Sequence, residues 1–356
     1  MMINKFCIFI LVILASAPVF SVEVEGLYLG VVEVKGQSYQ DRKVAYKSAI
    51  KQVLVRVSGN QGVVELPELA RVINEPTEYL SQYRFLQQNG QLYLEARFNE
   101  KLINGLLKDK GLTIWGTRRP QTLWWLAIEE ENKRYIISEE KQQYTQIIAH
   151  HAKLRGVPYI FPLMDFDDRM QISITDVWGR FANTVKSASE RYNAEAIVMA
   201  RIFTQTNEES VLAEGWMAQV SVLEDKKLST HTFIRDDLEL VWPEMVNWVA
   251  DQLAHRYSIK AQGYTASSLN ITIENIENAA QAVAIQGFLT TISAVDNVLI
   301  LQINESGVTF QLNLLGEALD VLDALSLDSR VEKVKPIFGQ ENKMVENLYQ
   351  WKGKFH

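Results

Sequence analysis

Apolar side chains at Ala45, Ala49, Ile50, Val53, Leu54 and Val57 recur at the spacing of one buried helical stripe. Ser38, with Asp41 three residues on, supplies a capping box at its start. Gly59-Asn60-Gln61-Gly62 supplies residues tolerant of left-handed backbone at its end. Lys43, Lys47 and Lys51 fall four apart on the opposite face, the wet side of such a helix, although a lysine stripe could also meet an acidic partner. Ahead of the helix, residues 22–35 are rich in Val and Leu and alternate as a strand does. Behind it, Pro67 and Pro76 bracket a short helix, residues 83–98 read as a hairpin turning at Asn89-Gly90, and a helix over 100–110 stops at Gly111. Together these elements predict a small N-terminal α+β domain over residues 22–116.

A polar joint, Thr117-Arg118-Arg119-Pro120-Gln121, interrupts the pattern, and its proline opposes continuous helix. Beyond it the periodicity predicts a strand over 123–128, a helix over 139–155 ended by Gly156, a strand over 158–163, a helix over 175–192 and strands over 195–203, 210–223 and 227–235. A last helix carries its stripe on Trp242, Met245, Val246, Val249 and Leu253. That order implies a mixed-sheet α/β layer fold over residues 117–262. Gln262 to Ser268 reads as a linker. The C-terminal pattern is strand 269–274, helix 278–293, strands 297–303 and 308–314, helix 317–327 and strand 331–336, the βαββαβ order of a ferredoxin-like domain over 268–338. A polar tail, 339–356, has Leu348 and Trp351 as possible anchors. The fold class is therefore α+β and α/β in three small domains.

Composition refines this picture at three points. A chain of 356 residues, 47% apolar and 10% aromatic, can bury two or three cores. Residues 1–21 place Lys5 before the uninterrupted apolar run Phe6 to Leu14, the pattern of a secretory signal peptide cleaved near Ser21. The run is too short to span a membrane, so a mature chain from Val22 would be exported and would have no transmembrane span. Cys7, the one cysteine, would leave with the signal, which excludes thiol catalysis, thiolate metal sites and disulfides from the mature chain. The formal net charge of −7 becomes −8 without Lys5 and gives no reason to expect nucleic-acid binding.

Candidate chemistry is sparse. His150-His151 are adjacent on a predicted helix and point about 100° apart, whereas a helical two-His metal site needs i, i+4 spacing. Asp165-Phe166-Asp167-Asp168 begins like a calcium loop, but Met170 stands where the sharp turn needs Gly and Asp176 where a bidentate Glu belongs; a carboxylate loop capping the next helix is the alternative. Glu129, Glu130 and Glu131 could do glycosidase work in a cleft or form the solvated end of a strand. No G-x-S-x-G or glycine-rich phosphate loop occurs; His231 falls mid-strand and His255 on the outer part of a helix. Trp115, Trp124 and Trp125, around the first joint, are either an interaction anchor or packing between the first two domains. No catalytic, cofactor-binding or metal residue is assigned, and no cofactor is expected.

Two resemblances add to this. Val32, Val34, Gly36, Gln37, Ser38, Ala45, Ala49 and Val53 to Asn60 form a V-x-V-x-G-Q-S segment and an A-I-x-x-V-L-V-R-V-S-G-N run. These resemble a Gram-negative periplasmic family of unknown function, the one numbered two thousand and sixty-six; that resemblance implies export and a three-part chain, and no catalytic residue. Asn193-Ala194-Glu195-Ala196-Ile197-Val198-Met199-Ala200, entering a strand straight from a helix, is similar to a G-A-D-A-x-V-x-G passage in the middle domains of envelope adaptors. Those adaptors include the N-terminal domain of the Tol translocation protein, the curli secretion lipoprotein, an outer-membrane activator of a peptidoglycan synthase and a flagellar T-ring component. The similarity implies a non-enzymatic accessory protein that binds another envelope protein through the surface beside residues 193–203. The alternative is a hydrolase of an envelope polymer such as peptidoglycan, working through paired carboxylates.

Overall fold

The computed structural model describes residues 22–205, 215–224, 227–260, 268–304, 307–328, 330–334 and 347–353. The expected signal peptide, the linker up to Ser267, the turns at 225–226 and 305–306 and the tail before Asn347 lie outside the described residues. The chain is a mixed α+β protein of several domains.

The N-terminal part runs β1 (Val22–Glu23), β2 (Leu29–Glu33), α1 (Tyr39–Ser58), α2 (Ala70–Asn74), β3 (Leu80–Gln88), β4 (Gln91–Phe98), α3 (Glu100–Asp109), β5 (Thr113–Ile114) and β6 (Arg118–Arg119). Local chemistry sets α1 at both ends: the Ser38 hydroxyl accepts the Asp41 N–H at 3.1 Å, the Asp41 carboxylate accepts the Ser38 N–H at 3.2 Å, and Gly59 takes the left-handed cap. All six stripe residues are buried against the antiparallel sheet β2-β4-β3. Its fully buried Ile50, Val53, Leu54 and Val57 each contribute roughly 1.5–3 kcal/mol of apolar burial. Asn89 and Gly90, with φ of 50° and 81°, make the two-residue hairpin turn between β3 and β4.

The middle part runs β7 (Thr122–Glu130), β8 (Lys133–Ile137), α4 (Gln142–Arg155), β9 (Tyr159–Ile160), α5 (Phe166–Gln171), α6 (Ile174–Gly179), α7 (Ala182–Ser189), β10 (Ala196–Gln205), β11 (Gly215–Glu224), β12 (Lys227–Arg235), α8 (Leu238–Tyr257) and β13 (Ile259–Lys260). Its sheet has the order β12-β11-β10-β7-β8, with β9 beside the start of β7; only β7–β10 and β7–β9 are parallel. Strand β7 is buried on both faces. Trp124, Leu126 and Ile128 meet α4 and α8, while Leu123, Trp125 and Ala127 meet the α5–α7 layer. Three sequence expectations change here. The charged run at the solvated end of β7 leads into a further strand that the sequence reading lacked, because Glu131 and Asn132 adopt φ of 49° and 61° and turn the chain back into β8. The helix expected over 175–192 is broken at Arg180, whose φ is 54°. The strand expected over 158–163 shrinks to two residues.

The C-terminal part runs β14 (Ser268–Glu274), α9 (Ala279–Thr290), β15 (Val295–Asn304), β16 (Gly307–Leu314), α10 (Ala318–Ser326), β17 (Val331–Lys333) and β18 (Leu348–Trp351). The βαββαβ order is present, but β17 does not pair with β14 as a six-element ferredoxin-like unit requires. The sheet order is β15-β16-β14-β18-β17: the tail returns as β18, parallel to β14 and antiparallel to β17. Tyr349 and Trp351 are the inward residues of that strand, 3% and 7% exposed, so a unit ending at 338 would lack an interior strand.

Candidate functional site

The polar joint of the sequence is the buried meeting point of all three parts. Strand β5 pairs with β13 and β6 with β1, which draws both ends of the first two domains onto residues 113–119. Arg119 is fully buried, and each of its five N–H groups has a backbone carbonyl acceptor: Nε to Gly116, Nη1 to Arg155 and Gly156, Nη2 to Arg56 and Trp115, all at 2.8–3.0 Å. Burial, with Arg56 next to it, pushes its pKa well below the usual guanidinium value, but only the protonated group carries five donors, and all five are used. No carboxylate accepts from it. All five donors are spent on Trp115, Gly116 and the C-terminal ends of α1 and α4, where two helix C-termini supply partial negative charge. The Trp115 ring covers the cation at 3.9 Å.

Two further arginines complete the knot. Arg56 donates to the carbonyls of Leu154, Gly26 and Leu29, while Arg155 reaches Gly59 O at 2.8 Å, Asn247 and the Asp251 carboxylate at 2.6 Å. Gly59 and Gly156, both at positive φ, lie where a Cβ would strike Ala254 in one case and Arg119 and Arg56 in the other. Arg118 turns the other way: it pairs with the buried Asp328 at 2.7 Å and covers the Phe288 ring at 4.1 Å, fastening the C-terminal part. Sequence reading missed this centre, since T-R-R-P-Q reads as solvated chain. The available signal was an arginine near the end of two helices, each shortly before a glycine.

The sequence candidates are dispersed. Glu129 pairs with Arg134 at 2.5 Å, whereas Glu130, its neighbour on a strand and so on the opposite face, accepts from the Tyr135 and Tyr144 hydroxyls; Glu131 is in the turn. The three acids therefore do not converge as a carboxylate pair. Asp165 caps α5 and pairs with Arg191, and the buried Asp168 accepts from Met164 N–H, Arg191 and the Tyr192 hydroxyl, the capping alternative rather than a calcium loop. His150 and His151 stack edge to face at 5.2 Å, with His151 pushed down by burial and by His150. His231 stacks on Trp248, and His255 is exposed near the end of α8. Lys47 donates to Asn74, while Lys43 and Lys51 are exposed. Trp115 packs between the first two domains; Trp124 and Trp125 belong to the core of the middle sheet. Among the described residues no group of three or more His, Cys, Asp or Glu could hold a metal, and no helix is long and apolar enough to cross a membrane.

Two features remain. Glu195, the position where the adaptor-like run has an acid, accepts the Gln121 N–H at 2.7 Å, and burial pushes its carboxyl up to about 7. The second is the β8 edge. No described strand pairs with its outer side, and an open hollow lies on each face of the sheet beside it. One, about 370 Å³, is lined by the apolar Ile136, Met164, Ile172 and Ile174 and by Ser138, Glu140, Lys141 and Arg169. The other, about 780 Å³, is lined by Glu129, Glu130, Glu131, Lys133, Tyr135, Lys141 and Trp216 among others.

Residues 21–116 match DUF8605, a domain of unknown function, and residues 267–352 match DUF2066. The second is the family whose likeness the sequence suggested, although the run through residues 32–60 that suggested it lies in the segment matched by the first. The DUF2066 segment extends through β18, in agreement with that strand's place inside the sheet. No curated protein matches the chain.

Proposed function

We propose that this chain is a non-enzymatic accessory protein of the periplasm that binds another envelope protein. The observation that supports this best is how the polar side chains are spent: candidate acids and histidines are separated and tied into structural contacts, while the open hollows border a sheet edge. A hydrolase of an envelope polymer needs two carboxylates facing one scissile bond, and Glu129 and Glu130 face apart. Recognition beside residues 193–203 would then use the neighbouring loops rather than an edge of that strand. Strand β10 lies between β7 and β11 with Ala196 to Ala200 buried, which leaves no free edge along that strand.

In-cell crosslinking of the mature chain, with a variant lacking the middle domain as control, tests the reading. One specific envelope protein captured only when the middle domain is present is the expected result. Turnover of purified peptidoglycan that disappears on substitution of Glu130, with no protein captured, would replace the accessory reading by the enzymatic one.

A further inference from the structure

We infer that the middle sheet carries a binding site for a phosphate group on its α5–α7 side, built by Arg180 and Arg201 around Gln219, Ser221 and Thr230. The strand registers bring these residues together. Arg201 on β10 lies opposite Gln219 on β11, and Ser221, two residues on and so on the same face, lies opposite Thr230 on β12. On this side α6 packs on β7, β8 and β10, whereas α8, which packs on β11 and β12, lies on the other side. Arg180, held at φ of 54° where α6 ends, reaches across β11. Its Nη1 donates to the Ser221 hydroxyl at 3.1 Å and its Nη2 to the Gln219 carboxamide oxygen at 3.4 Å; Arg201 Nε donates to that same oxygen at 2.7 Å. The Ser221 and Thr230 hydroxyls are 3.1 Å apart.

Two cations therefore meet at one neutral oxygen. Among the described residues neither has a carboxylate within ion-pair distance: Glu129, on the same face, is held by Arg134 at 2.5 Å, and Asp176 is held by Ser173. Burial, and then the Arg201 charge, push the Arg180 guanidinium below its usual pKa, and no acid opposes them. Arg180 Nε is buried without an acceptor, and the terminal nitrogens of the half-buried Arg201 make no hydrogen bond among the described residues. Like charges held together in partial burial are unfavourable until an anion joins them. Two guanidinium charges match a phosphate dianion, whose oxygens can be shared between two forks, whereas a carboxylate would neutralise only one of them. The chain as a whole is acidic, with a formal net charge of −7, so this is a local excess of positive charge rather than part of a basic surface.

This site stands apart from the accessory reading, and its test uses no partner protein. The mature chain is melted across a titration of inorganic phosphate at constant ionic strength set with chloride, with acetate in parallel. Co-sedimentation is measured with phosphatidylcholine vesicles containing or lacking phosphatidic acid. Phosphate should raise the melting temperature saturably, as a ligand bound only by the folded state does, and acetate should not. Arg201→Gln should weaken phosphate binding by about tenfold. Gln219→Glu supplies the counter-charge from within: it should raise the melting temperature in phosphate-free buffer and abolish the phosphate response, a pair of effects that purely structural arginines would not give. If Arg201→Gln fails to fold, Gln219→Glu decides the matter alone. A saturable phosphate response without vesicle binding assigns the site to a soluble phosphate compound. Vesicle binding that requires phosphatidic acid and is lost in Gln219→Glu assigns it to a lipid headgroup. Neither response in the parent, an acetate response equal to that of phosphate, or responses of parental size in the folded variants would overturn the inference.

Discussion

Replacing Arg119 by Lys keeps the charge and removes the geometry. An ammonium has three donors against the five carbonyls now served, so at least two buried carbonyls, drawn from the last turns of α1 and α4 and from residues 115–116, lose their partner. Each buried unsatisfied group costs about 1–3 kcal/mol, which puts the loss at about 4 kcal/mol. For a unit of this size that corresponds to a fall of ~12 °C in melting temperature. Because the acceptors belong to both of the first two domains, the loss should also uncouple them. Scanning calorimetry should show one transition for these domains in the parent and two in Arg119→Lys, with new proteolytic cleavage between Trp115 and Gln121. Arg84→Ala serves as control: its pair with Glu95 has the arginine two-thirds exposed, so solvent screens the pair and its loss should leave the melting temperature nearly unchanged. A melting shift under ~3 °C with a single transition retained would refute the view of Arg119 as the fastening of these domains.

Three other outcomes follow from the fold. Glu195 has its pKa raised by burial to about 7, so the folded state holds the proton more tightly than the unfolded chain. The stability it contributes is full below about 4.5 and is lost as pH rises through about 7; because the side chain is only half-buried and solvent screens it, the loss is about 2 kcal/mol, and parallel stability profiles of parent and Glu195→Gln from pH 4.5 to 8 would contradict this. A fragment over residues 268–353 should unfold cooperatively while one ending at 338, without β18, should not; equal melting of the two would mean that β18 is dispensable. If the chain is exported as its first residues imply, intact mass of protein recovered from the periplasm should correspond to a start near Val22, and retention of Met1 on cytoplasmic protein would end the localisation proposal.

What could be read from the sequence was what short-range chemistry decides. Helix α1 was legible because its cap, its stripe and its glycine stop lie within 25 residues of one another, and the β3–β4 turn because Asn-Gly is the residue pair that a two-residue hairpin favours. Strand β8 was missed for the converse reason: its turn is Glu131-Asn132, without glycine, and the flanking E-E-E-N-K-R reads as solvent-facing charge. Strand β18 escaped because four residues carry little periodicity and its partners β14 and β17 are set by tertiary pairing. The arginine knot was invisible in principle to composition, since arginine is seldom buried and the acceptors of Arg119 come from three separate stretches of chain.

The knot and the β8 edge are joined by one strand. Strand β7 begins three residues after Arg119, is buried along both faces as far as Ile128, and ends at the hairpin that carries β8, so the β8 edge is rooted directly in the meeting point of the domains. The same continuity gives the C-terminal part a mechanical connection to that edge through Arg118 and Asp328, the residues on either side of the buried ion pair.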